Sequence, residues 1–197
     1  MLDTHARRFV DPLINRVACG LHRAGLSANA VTIGAMLIGI GAAACIAAGW
    51  PWIGICALWI SGLLDAADGA LARMTRSSAL GAVMDITSDR VVEIAVIVAL
   101  AWRHPEAQFI LLILAGSIAI AMSLFLSIAA TLRNRSGKSF HYAPGLGERT
   151  EAFICLSLMT ADERHLIAWT TLFIAMIVVT IGERLRHARN MLGPDSR

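Results

Sequence analysis

"LLDAADGALARMTRSSALGAVMDITSDR", residues 63–90, sets four aspartates, Asp65, Asp68, Asp85 and Asp89, into an otherwise oily stretch. An isolated carboxylate in hydrocarbon is expensive, so intramembrane acids mark functional sites. Asp65 and Asp68 are three residues apart, and Asp85 and Asp89 four apart, so each pair shares one face of a helix. The connecting turn lies around residues 73–78. Counted from that turn, Asp68 lies roughly 8 Å along the first helix and Asp85 roughly 10 Å along the second. Antiparallel neighbours therefore hold the four carboxylates at similar depth, converging just inside the membrane surface. Such a cluster repels itself unless something positive sits within it. Arg73 and Arg90 can each neutralise one charge. A divalent cation does so better, because hard oxygen ligands suit Mg²⁺, Mn²⁺ and Ca²⁺. Two ions can be accommodated, an arrangement that suits phosphoryl displacement. The intervening residues Ala66, Ala67, Gly69, Ala70, Ala72, Gly81 and Ala82 are small, and together with four acids they leave room for a bulky ligand.

The rest of the chain agrees with a membrane setting. Of its 197 residues 57% are apolar, above the roughly 45–50% of soluble domains, and the mean hydropathy is +0.66. The expected fold is all-α integral membrane, with six transmembrane helices and an N-terminal interfacial amphipathic helix. The spans fall at about 30–49, 52–72 (entered through Pro51), 80–102, 107–132, 150–161 and 164–185. The fifth is short for the ~20 residues a crossing needs. Fifteen of the 17 Lys and Arg residues fall on one side of this arrangement, leaving Arg103 and Arg164 on the other. By the positive-inside rule both termini and the aspartate cluster face the cytoplasm. Residues 6–26 group Phe9, Val10, Leu13, Ile14, Val17 and Leu21 on one face, with Arg16 and Arg23 placed for anionic headgroups. The chain thus divides into a cytoplasmic interfacial helix (1–28), a six-helix catalytic domain (29–190) and a cytoplasmic tail (191–197). No cleavable signal peptide is recognised at the N-terminus. Ala35, Gly39, Ala43 and Ala47 form a small-residue stripe for close helix packing. Cys19, Cys45, Cys56 and Cys155 lack metal spacing and read as small buried hydrophobes. Asp162 and Glu163 read as a solvated outer loop.

The pattern Asp65-x₂-Asp68-Gly69-x₂-Ala72-Arg73…Gly81-x₃-Asp85-x₃-Asp89 resembles the signature of the CDP-alcohol phosphotransferase family (CDP-alcohol phosphatidyltransferases), and "KSFHYAPGLGERTE", residues 138–151, resembles a loop of its short bacterial subgroup. The pattern differs in having seven residues between Arg73 and Gly81 where the family usually has eight, a change confined to the turn. Ser78 also matches a common family feature. "LSANAVT", residues 26–32, resembles the family's Pro-Asn-x-x-Thr entry to the first span, with Ala28 in place of the proline. The resemblance implies a protein of a bacterial inner membrane in which Asp65, Asp68, Asp85 and Asp89 bind two ions, Mg²⁺ or Mn²⁺, and Asp89 is the catalytic base on the acceptor hydroxyl. It implies that Asn29, Thr32, Gly69, Ala72, Arg73, Ser78 and Gly81 bind the CDP moiety. The implied reaction is phospholipid synthesis: a phosphatidyl group passes from a CDP-alcohol, CDP-diacylglycerol in the usual case, to an acceptor alcohol, and CMP leaves. A homodimer is implied by the family alone. Asn29 and Ser27 have an alternative reading as helix N-caps.

The acceptor is less legible. Arg133, Arg135, Lys138 and Arg149 could grip a phosphorylated acceptor such as glycerol phosphate or inositol phosphate, or serve topology and lipid headgroups. "AATLRNRSGKS" matches poorly the Arg-rich stretch of family members that use inositol phosphate. The expected partners are the donor lipid, the acceptor and membrane lipids, without nucleic acid. A divalent-cation carrier is the rival class, but a carrier places its ligands near the midplane between repeated halves, and no repeat is found. A family relative that has lost catalysis is the third reading.

Overall fold

The computed structural model describes residues 2–136 and 149–192, with side chains over 11–131 and 150–191. Its described residues form seven α-helices: α1 (Leu2–Arg23), α2 (Ala28–Ala47), α3 (Pro51–Met74), α4 (Ala79–Arg103), α5 (Gln108–Ser136), α6 (Arg149–Ala161) and α7 (Leu166–Leu192). Short 3-10 turns, Pro105–Ala107 and Glu163–His165, lead into α5 and α7. Each expected helix is present within a few residues of its predicted bounds, α7 running longest beyond them.

Four stretches are long and apolar enough to cross a membrane: Ala28–Ala47, Pro51–Met74, Pro105–Thr131 and Glu163–Met191. The molecule is therefore a multi-pass membrane protein. The other two expected spans fall short on composition or length. α4 has 25 residues but carries Asp85, Asp89, Arg90, Glu93 and Arg103. α6 has 13 residues, roughly 20 Å of helix against a hydrocarbon core of about 30 Å.

Local chemistry fixes the helix ends around the aspartates. Ser27 caps α2, its Oγ accepting from Ala30 N at 3.3 Å. Pro51 opens α3, where its missing N–H leaves no bond unmade. Ser78 caps α4 by accepting from Gly81 N at 3.0 Å. Gly49 closes the α2–α3 turn at φ +88°, a conformation that favours glycine.

The α2, α3 and α4 helices form the hub of the fold. A Cβ on Gly39 would lie 2.7 Å from Val92 Cγ1 and 2.9 Å from Ser61 Oγ, and closer still to Val92 Cγ2. Ser61 Oγ donates to Ala35 O at 2.7 Å, a buried bond between α3 and α2. The small-residue stripe thus lets three helices meet nearly backbone to side chain, as packing in a membrane requires. Beyond it Ile46, Leu58, Leu100, Leu111, Leu114, Leu156 and Met159 are fully buried and tie α5 and α6 to the hub.

One expectation is narrowed and two need correction. The apolar face of α1 turns onto protein: Ala18 is fully buried with Val31, Ala67, Ala70 and Leu71, and Ile14, Val17 and Leu21 pack against that cluster. Leu13 stays exposed, and the side chains of Phe9 and Val10 lie outside the described residues. Only Cys155 is a buried thiol; Cys56 is exposed on α3, where an apolar run meets lipid as readily as core. The outer loop is not simply solvated. Arg103 Nη2 contacts both oxygens of Glu163 at 2.9 and 3.0 Å, and His104 Nε2 lies 3.4 Å from Glu163. Asp162 accepts from Trp169 Nε1 at 3.1 Å and faces His165 Nδ1 at 2.9 Å. These bonds, that of Trp169 foremost, hold the Asp162 carboxyl below its ordinary range.

Candidate active site

At the other end of the hub, α3 runs to Met74 and α4 begins at Ala79. Thr75 closes α3, its N–H and Oγ1 both bonding Leu71 O. Only Thr75–Ser78 remains to reverse the chain, so the shortened turn is absorbed between the two helices. Arg73 keeps its place in α3: its Nη1 lies 3.5 Å from where a Gly69 side chain would start. The guanidinium therefore folds back over Gly69, one turn from Asp68.

The turn brings the carboxylates together. One oxygen each from Asp65, Asp68 and Asp85 lies within 4.8 Å of the others. Asp65 is 6% and Asp68 4% exposed, while Asp85 is half-buried. Asp68 Oδ2 is buried without a hydrogen-bond partner among the described residues. Leaving such an atom unmatched is costly, and a carboxylate cluster with a spare buried oxygen fits a divalent cation. Hard oxygen donors are also the correct donor set. Asp89, one turn along α4, stands outside this group but within electrostatic reach of Asp85 and Asp68.

Most of the residues expected to bind CDP line the approach to this cluster. Asn29 Oδ1 and Ser78 Oγ each lie 3.1 Å from the position of a Gly81 Cβ, so α2 and α4 meet there without a side chain between them. Ser27 takes the N-cap of α2, which leaves the Asn29 amide facing Gly81. Thr32 is 3% exposed; its hydroxyl donates to Ala28 O at 3.0 Å and lies within hydrogen-bonding reach of Asp68. Gly69 and Ala72 are half-buried, and Arg73 and Ser78 are exposed. Access therefore rises from the buried acids outward to Arg73 and Ser78.

The side chains of Arg133, Arg135 and Arg149, and all of Lys138, lie outside the described residues. The sequence reading passes over Glu93, which continues the Asp85–Asp89 step of four by one more turn. That step is the signal that would have found it.

Known proteins share both the sequence pattern and the fold. The profile of the CDP-alcohol phosphatidyltransferase family matches residues 26–182. The chain is 28% identical to the Inner membrane protein YnjF of Escherichia coli, over 80% of this chain and 81% of that one. It is 33% identical to the phosphatidylinositol phosphate synthase of Mycobacterium marinum, over 87% of this chain and 77% of that one. The Mycobacterium tuberculosis phosphatidylinositol phosphate synthase with CDP-DAG bound superposes with a TM-score of 0.72 at 25% identity, covering 90% of this chain and 94% of that one. The same enzyme in complex with manganese and citrate gives 0.71 at 26%, covering 89% and 88%. The chain belongs to the CDP-alcohol phosphatidyltransferase family: it is a membrane transferase of phospholipid synthesis that moves a substituted phosphate group from a CDP-alcohol to an acceptor alcohol.

Proposed function

We propose that the donor is CDP-diacylglycerol and the acceptor a phosphorylated polyol, with inositol phosphate the first candidate. The donor follows from the CDP-DAG bound by a relative of the same fold. Support for the acceptor comes from relatives named phosphatidylinositol phosphate synthase and archaetidylinositol phosphate synthase, and from the basic residues Arg133, Arg135, Lys138 and Arg149, which the charge distribution puts on the same side of the membrane as the aspartates. The observation that carries the reading is the meeting of Asp65, Asp68 and Asp85 oxygens within 4.8 Å at a helix-hairpin end.

Asp65, Asp68 and Asp85 hold the metal, with Asp89 completing the set; two ions, Mg²⁺ or Mn²⁺, match four carboxylates. When bound, the metal neutralises the donor diphosphate and the charge that develops on it. Asn29, Thr32, Gly69, Ala72, Ser78 and Gly81 receive the cytidine and ribose, the glycines by leaving space. Arg73 reaches the phosphates from its position over Gly69. Asp89 accepts the proton of the acceptor hydroxyl as its oxygen bonds the lipid-bearing phosphorus. The pyrophosphate P–O bond breaks, and CMP leaves. A carboxylate is a weak base at neutral pH, but it needs only to take the proton as attack develops. The membrane arrangement that goes with this chemistry has six spans, including α4 and α6, with α1 at the interface. Both termini and the site face the cytoplasm, residues 1–28, 29–190 and 191–197 serve as lead-in, catalytic domain and tail, and the assembly is a homodimer.

The test is CMP release by purified protein in detergent with Mn²⁺ or Mg²⁺, CDP-diacylglycerol and a panel of acceptors: inositol phosphate, glycerol 3-phosphate, serine, choline and phosphatidylglycerol. Turnover with inositol phosphate is expected, and turnover only with an unphosphorylated alcohol refutes the acceptor class. In the same assay Asp89→Asn is expected to lower turnover by about 10²–10⁴-fold while metal-dependent CDP binding survives. Lost binding with intact turnover contradicts the base assignment.

A further inference from the structure

Glu93 is the most deeply placed charge on α4 that the reaction scheme leaves unused. It lies one turn beyond Asp89, is 2% exposed, and sits between Val92 and Val96, both buried. Its Oε2 is 2.7 Å from Arg90 Nη1, a short charge-assisted contact. Arg90 itself is only partly covered, its side chain 32% exposed. A buried ion pair is a poor source of stability, since apolar side chains of similar volume commonly serve a core as well or better. Packing alone therefore does not account for an acid at position 93.

What the pair does face is Asp89. Asp89 and Glu93 are four residues apart and share one face of α4, and the Arg90 guanidinium, 2.7 Å from Glu93 Oε2, places a cation on that face. An arginine one residue along from Asp89 has a long flexible stem and many possible placements. Glu93, at the i+3 position, pins its guanidinium to one of them. We infer that Glu93 is a positioning residue for the transfer reaction, fixing the Arg90 guanidinium and through it the charge beside Asp89. The pair acts on the carboxylate that handles the acceptor proton, and not on the three that gather at the metal position.

This inference rests on the proposed role of Asp89, and the test separates the two. Glu93→Gln keeps the shape and removes the charge. Its kcat is expected to fall about 10-fold or more, the scale of losing a supporting partner one step removed from the chemistry. The KM for CDP-diacylglycerol and the half-saturating Mn²⁺ concentration should stay within about twofold of the parent. Glu93→Asp should recover part of the lost kcat, and Arg90→Lys should fall as Glu93→Gln does. The double variant Glu93→Gln/Arg90→Gln should be no worse than the poorer single one, because both remove the same coupling. Parental kcat in Glu93→Gln overturns the inference. So does a loss in which kcat, KM and metal response decline together with the melting temperature, as a structural role would give. Should Glu93→Gln fail to fold, Arg90→Lys carries the test alone, its side chain being a third exposed; parental kcat there refutes the inference. If Asp89→Asn retains turnover, it is the role of Asp89 that fails; if Asp89→Asn is inactive and Glu93→Gln is unimpaired, only this inference fails.

Discussion

Gly39→Ala is a one-carbon perturbation at the point where α2, α3 and α4 converge. The new methyl would sit 2.9 Å from Ser61 Oγ and 2.7 Å from Val92 Cγ1, with Val92 Cγ2 closer. Neither neighbour gives way freely. Val92 is β-branched on a helix and stiff at χ1, and Ser61 is held by its bond to Ala35 O. Overpacking of this kind costs about 1–3 kcal/mol. Alanine also gains up to about 1 kcal/mol over glycine in helix propensity, so the raw change understates the clash. Gly41→Ala supplies the reference: it lies on the same helix, and nothing stands within 4 Å of its Cβ position. The difference between the two variants isolates the packing term. At about 2–4 °C per kcal/mol for a chain of this size, Gly39→Ala should melt about 2–12 °C below Gly41→Ala. Thermal unfolding in detergent, followed by tryptophan fluorescence, measures it. Adding Val92→Ala to Gly39→Ala should recover much of the loss, because both offending methyls are then gone. Equal melting temperatures for the two glycine variants, or strictly additive losses in the double variant, would refute the close three-helix contact. α4 also carries Asp85, so a real clash should raise the Mn²⁺ concentration needed for half activity in Gly39→Ala and leave Gly41→Ala unchanged.

The remaining predictions concern the two ends of the hub. Ser78→Ala removes the acceptor of the Gly81 amide; it should cost about 1 kcal/mol in thermal unfolding and raise the donor KM more than the acceptor KM. Glu163→Gln weakens the contact with Arg103, whose side chain is 25% exposed against 28% for Glu163. Solvent screening limits that pair to about 1 kcal/mol, so a small fall in melting temperature with unchanged kcat is expected, and a large fall in kcat would mean the two ends are coupled. Asp162 has its ionisation favoured in the folded state, by Trp169 first and then His165. Its contribution to stability is therefore present above the unfolded-state value near ~3.9 and is lost as pH falls through the lower folded value. Asp162→Asn should flatten the melting temperature against pH on the acid side and leave the neutral range little changed in slope.

The helices were legible because oily runs, Pro51, Ser27 and Ser78 each carry a local reason to start or span. The carboxylate cluster was legible for a related reason: Asp65, Asp68 and Asp85 are placed by helix period, and one tight turn brings their oxygens together. What escaped depends on partners far apart in the chain. Arg103 and Glu163 are 60 residues apart, and nothing in either loop announces the other. The direction in which α1 turns its apolar face was equally hidden. Ile14, Val17 and Leu21 suit lipid or protein alike, and only Ala67, Ala70 and Leu71 on α3 decide between them. Glu93 was hidden for the opposite reason. Its spacing from Asp89 was in plain view, but a lone acid after four aspartates reads as one more charge until burial and the Arg90 contact set it apart.

The packing around the acids explains why they sit where they do. Buried carboxylates strain any fold, and more so one surrounded by lipid. In this fold they lie next to its most rigid packing. Ala67, Ala70 and Leu71 press α3 onto α1 on the side away from Asp65 and Asp68, while the Ser61 bond and the Gly39 contact lock α3 and α4 to α2 a turn or more deeper. Those contacts fix the helices irrespective of the charge on the acids, so the three carboxylates are held together before any cation arrives. Preorganisation of that kind removes the ordering cost from the binding step. It also predicts which changes will be felt at the site: small-to-large substitutions in the α2–α3–α4 contacts should weaken metal response, while equally severe ones among Leu111, Leu114 and Met159 should lower stability and leave the metal response intact.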